Sequence, residues 1–218
     1  MCGRFSLATP ADELVEVFDV PLPDFTLRPR YNLGPGQDAV VVGEDRHGRR
    51  LGMLRWGLVP AWSEGPGSAH ANARGESVVE TPSFREAFVR RRCLVPADGF
   101  YEWRTDEGGK TPYLFRPIAG GVMALAGIWE RWERRGHEPR SGFAILTVDA
   151  SEDVAPIHHR MPVVVERERF SEWLDRASEP DRLRALVTPA PAGSLRFHAV
   201  SRRVNSVRED DAGLVEPV

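Results

Sequence analysis

The chain has 218 residues, 41% apolar and 28% charged, with a net charge of −3. That composition is ordinary for a soluble globular protein with one core. It offers no run of about 18 apolar residues to cross a bilayer, and the opening MCGRFSLATPADEL lacks the basic and apolar regions of a secretory signal, so a cytoplasmic protein is expected. The near-neutral balance is not that of a basic nucleic-acid-binding domain. Lys110 is the only lysine, however, so the positive charge is almost all guanidinium, the group suited to bidentate phosphate contacts.

In chain order, Thr9 and Pro10 open a first helix, capped by Thr9, whose Leu14, Val17 and Phe18 fall on one face. The proline- and glycine-rich segment 21–37 reads as an irregular connection. Segments 39–43 and 50–59 read as two strands joined through a polar turn. A second helix is expected from Thr81-Pro82, with Ser83 and Glu86 as a capping box. CLVPADGFYEW, TPYLFRPI, GVMALAGIWE, GFAILTV and MPVVV follow as strand-like runs, then short helices at ERFSEWLDR and PDRLRALV, and a last strand at LRFHAV. The spacing predicts an α+β fold: a single domain over 1–218 with a curved, largely antiparallel, barrel-like sheet and flanking helices.

Two cysteines, Cys2 and Cys93, occur in no C-x-x-C pattern, which supports neither a disulfide framework nor a cysteine zinc site. No cofactor or metal is expected. Cys2 directly follows Met1, so removal of the methionine would leave an amine and a thiol on adjacent carbons. Both groups are partly nucleophilic near neutrality. Such a 1,2-aminothiol can condense with an aldehyde to an imine and close a thiazolidine, or act as an N-terminal nucleophile in acyl transfer. Gly3 allows close approach of a ligand, and Arg4 puts a phosphate-binding group beside the nucleophile. The adjacent His158 and His159 suggest a metal pair only weakly, because strand neighbours point to opposite faces; His159 is expected to face solvent.

MCGRF, MLRWGLVPAW, NARGES, GFYEW and HHRMPVVV occur in this order between Met1 and Val165, within a likeness that runs from Cys2 to about Asn205. As a set they resemble the SOS-response-associated peptidase (SRAP) family, also described as abasic-site processing proteins. The resemblance implies a nucleophile at Cys2 that crosslinks to the ring-opened aldehyde of an abasic site in single-stranded DNA. It also implies an acid/base glutamate at Glu102 and an assisting histidine at His158. Asn72 and Arg74 would line the lesion pocket from one strand face, with Arg4 and Arg160 as further phosphate contacts. Trp56 and Trp62 flank GLVPA and are candidates to stack on exposed bases, Trp56 more than Trp62. Tyr31–Pro35 resembles the family's loop near the nucleophile, with Gly34 where alanine is more usual, and VNS at 204–206 is expected to pack. The resemblance thus implies a monomeric lesion sensor, nucleoid-associated on DNA damage. A thiol peptidase using Cys2 and His158 with Asn72 or Glu102, acting on other chains or only in self-processing, is the alternative reading.

Overall fold

Alternating side chains along the strand-like runs put one face of each into a common interior, and the chain closes around it. The computed structural model describes residues 2–65, 67 and 69–218; the expected removal of Met1 concerns a residue outside that set. Strands β1 (Phe5–Leu7), β2 (Arg30–Leu33), β3 (Asp38–Asp45), β4 (Gly48–Trp56) and β5 (Asn72–Arg74) are followed by β6 (Arg92–Ala97), β7 (Gly99–Asp106) and β8 (Gly109–Pro117). The rest are β9 (Met123–Trp132), β10 (Arg140–Asp149), β11 (Arg160–Pro162), β12 (Val164–Val165) and β13 (Leu195–Ala199). Helices α1 (Ala11–Phe18), α2 (Arg85–Arg90), α3 (Phe170–Leu174) and α4 (Pro180–Ala185) flank the strands. None of the helices is long and apolar enough to cross a membrane, among the described residues.

One sheet runs β13-β8-β7-β1-β2 and the other β11-β10-β4-β3-β6-β9-β12. In the second, β9 pairs with both β6 and β10, so the path β10-β4-β3-β6-β9 returns on itself as a closed ring. Most pairs are antiparallel; β10 runs parallel to β4 and β5. This is the α+β, barrel-like arrangement expected. At the parallel crossing, a Cβ on Gly142 would lie 2.2 Å from the carbonyl oxygen of Gly57, a contact only glycine permits. A large apolar cluster fills the interior, and a smaller one of Tyr101, Leu114, Val200, Val204 and Leu214 seals the outer face of the first sheet under the C-terminal segment.

Both helix-start readings need correction. The Thr9 hydroxyl donates to Asp98 Oδ1 at 2.6 Å and does not cap α1, whose N-cap is Pro10. Helix α2 begins at Arg85, with Phe84 at its cap and no side-chain cap. In the first case a tertiary partner, the Asp98 carboxylate, takes the hydroxyl in place of the helix's own backbone N–H groups.

Candidate active site

Residue 2 reaches the interior because β1 pairs with β7. Phe5 stands opposite Phe100 and Ser6 opposite Gly99, and the Tyr101 amide donates to the Arg4 carbonyl at 2.9 Å. Continuing that ladder sets Gly3 opposite Glu102 and leaves Cys2 one residue further, close enough for the Glu102 charge to act on its thiol. Strand alternation turns Phe100 and Glu102 inward and Tyr101 and Trp103 outward. Cys2 is 0% exposed and Glu102 2%. Burial, reinforced by the Glu102 charge, raises the Cys2 thiol far above its ordinary pKa, and burial pushes the Glu102 carboxyl up to about 7.

His158 comes from the turn before β11. Its amide donates to the Val154 carbonyl at 3.0 Å, and its Nδ1 lies 3.0 Å from both the amide nitrogen and the carbonyl oxygen of Arg160, which fixes the ring. Nδ1 is 3.8 Å from Glu102 Oε2. Burial, first among several causes, lowers the His158 pKa, so its protonated ring gives up a proton more readily than a free imidazolium. The expectation that the two histidines face opposite ways is overturned: they precede the strand, and their rings stack at 4.4 Å. His159 is exposed, as expected. Among the described residues no cluster of three or more His, Cys, Asp or Glu could hold a metal ion.

Asn72 and Arg74 share a face of β5, which lies in parallel register on β10. Asn72 Oδ1 is buried with no hydrogen-bond partner among the described residues, a costly state that a ligand donor would relieve. Arg74 is exposed. β5 is tied toward β1 by Trp56, whose Nε1 donates to the Ala71 carbonyl at 2.7 Å while its ring lies 5.1 Å from Phe5.

Three sequence assignments change here. Trp56 is 1% exposed, stacked on Phe143 with its N–H satisfied, so it is a core residue and no base can reach it. Trp62, the weaker candidate, is 61% exposed. Arg160 is committed to protein acceptors: Nη1 and Nη2 grip Glu76 at 2.6 and 2.8 Å, with Asp149 Oδ1 at 2.7 Å and the Thr147 carbonyl at 2.6 Å. Its guanidinium orders the His158–Arg160 segment and is not available to a phosphate. Arg4 is also structurally held, by Asn32 Oδ1 at 2.6 Å and the Val204 carbonyl at 2.5 Å. Those acceptors are neutral, though, so its charge persists beside residue 2.

Sequence reasoning missed two contributors. Asn32 is fully buried, and its amide nitrogen donates to the carbonyls of Val204, Ser206 and Glu209, tying the Tyr31–Pro35 loop to the C-terminal segment. Trp103 lies over Arg4 at 5.9 Å and donates to Asn205 Oδ1 at 2.7 Å. Both belong to quoted segments, YNLGP and GFYEW; only the VNS partner, which does pack, hinted at their role.

A family model described as SOS response associated peptidase (SRAP) matches residues 1–207. The chain belongs to that family. It is 38% identical to the abasic site processing protein YoqW of Bacillus subtilis, over 99% of each chain. It is 36% identical to the abasic site processing protein HMCES of Gallus gallus, over 88% of this chain and 67% of that one. A solved protein from Bacteroides thetaiotaomicron superposes with a TM-score of 0.90 at 23% identity over the whole of both chains, a likeness of fold.

Proposed function

We propose that this SRAP protein processes abasic sites by capturing them covalently in single-stranded DNA, as a monomer in the cytoplasm. The observation that carries the reading is the pairing of Cys2 with Glu102 inside the interior, within reach of His158. Once Met1 is removed, the Cys2 amine attacks C1′ of the open-chain aldehyde to give a carbinolamine. Glu102, whose pKa of about 7 lets it hold or release a proton near neutrality, protonates the departing hydroxyl, and water leaves. The thiol then adds to the imine carbon, its proton passes to the nitrogen, and the thiazolidine closes. His158 assists furanose opening by protonating the ring oxygen. Asn72 Oδ1 accepts a hydrogen bond from the lesion's sugar hydroxyl, and exposed Arg74 meets a flanking phosphate.

A neutral thiol serves the last step, because it adds to an imine already activated by the amine. A thiol peptidase needs the opposite, a depressed thiol pKa, and the raised Cys2 value weighs against that alternative. Intact mass after mixing with abasic single-stranded oligonucleotide tests the reading. One adduct per chain, on a protein lacking Met1, is expected. A normal adduct on a protein with an extra residue ahead of Cys2 would sink the thiazolidine, and catalytic turnover of peptides without DNA would favour the peptidase.

A further inference from the structure

The outer face of the barrel carries a feature that shares no residue with the Cys2 cluster. There Val41 of β3 stands opposite Gly52 of β4, and Gly43 opposite Arg50. A Cβ added at Gly43 or Gly52 would meet nothing within 4 Å. The two glycines thus leave a hollow of about 250 Å³, walled by Val41, Leu54, Cys93 and Trp129. A second hollow of about 310 Å³ shares Trp129 and Arg176 with the first and is otherwise bounded by Arg90 and Arg91.

The charge around the pair is lopsided. The carboxylates at the edge are engaged: Glu44 with Arg49, Asp45 with Arg50, and Glu86 and Glu130 with Arg91. Arg90 and Arg176 are exposed and have no ion pair among the described residues. Buried Arg92 adds a further positive charge, its guanidinium bonded to the backbone carbonyls of Phe88, Val89, Trp173 and Asp175. The run Arg90-Arg91-Arg92 is the longest unbroken run of arginines in the chain.

We infer that these joined hollows bind a nucleotide unit, its base on Trp129 over the glycine floor and its phosphate between the unpaired Arg90 and Arg176. Any base offers a π-face to an aromatic ring, and arginines supply forked donors for phosphate oxygens. A bare phosphate would use the arginines but not the apolar floor. The same chemistry fits a free mononucleotide or one unit of a bound strand.

The test follows the six tryptophan indole N–H resonances of ¹⁵N-labelled protein, with Trp129 assigned by its loss in Trp129→Leu. Deoxyadenosine monophosphate and an unmodified single-stranded oligothymidylate are titrated separately. The Trp129 signal moves with both; tighter binding of the oligonucleotide identifies a strand, and tighter binding of the mononucleotide a free nucleotide. Gly52→Leu fills the floor and Arg176→Gln removes a phosphate ligand, and each weakens binding about tenfold while leaving thermal stability and Cys2 adduct stoichiometry unchanged. A Trp129 signal that stays still with both ligands overturns the inference. So does a full shift with inorganic phosphate alone, or unaltered affinity in Gly52→Leu. None of these variants touches Cys2, Glu102 or His158, so failure of abasic capture with the Trp129 shift intact would count against the proposed function alone.

Discussion

Two carboxylates flank the segment that carries His158, and they behave in opposite ways. Glu76 is 48% exposed at its side chain and is gripped by Arg160, whose hydrogen bonds hold its pKa below the usual carboxylate range. Glu102 is buried beside Cys2, and burial raises it to about 7. A carboxylate beside a guanidinium is a fixed charge, useful for holding a loop. One taken out of water, where burial outweighs its partners, keeps its proton near neutrality and can exchange it, which is what acid/base work requires.

The largest effect that would break this contrast is kinetic. Glu102→Gln keeps shape but cannot shuttle a proton, and abasic capture should slow by about 10²- to 10⁴-fold in single-turnover gels, whereas Glu76→Gln should stay within about tenfold of wild type. Equal losses in the two variants would erase the distinction. Next comes stability. Arg160→Met removes the guanidinium but lets the half-exposed Glu76 and exposed Asp149 rehydrate, so thermal or urea unfolding should report a loss of about 1–3 kcal/mol.

The third effect is pH-dependent. Because the folded pKa of Glu102 lies above its ordinary value of 4.5, the native state binds more protons than the unfolded chain between the two values. Stability from this group is therefore fully present below pH 4.5 and is lost as pH rises to about 7, by at most about 3 kcal/mol. The native-minus-variant stability difference for Glu102→Gln, followed from pH 5 to 8 by urea melts, should change by that sign; a flat difference would mean that Glu102 is an ordinary carboxylate.

Much of this molecule is readable before folding. Strands at 39–43 and 195–199 and the glutamate of GFYEW follow from apolar runs and from motif, whereas the strand expected at 50–59 ends at Trp56. The tryptophans do not. Trp56 and Trp62 sit six residues apart in one segment, and nothing local distinguishes the ring that ends β4 facing the interior from the one beyond the Pro60 turn. Arg160 fails for a related reason: it reads as a phosphate ligand until Glu76, 84 residues earlier in the chain, is found across from it.

What the sequence alone determined was the chemical inventory: a thiol directly after Met1 at Cys2, a carboxyl between aromatics at Glu102, an imidazole at His158, and strands enough to enclose them. Only the tertiary structure decided which polar groups are spent on one another and which are held ready. Partnership and burial depend on contacts between residues about 100 positions apart, such as Cys2 and Glu102, and desolvation, the force that tunes Glu102 and Cys2, exists only once the two sheets have closed over them.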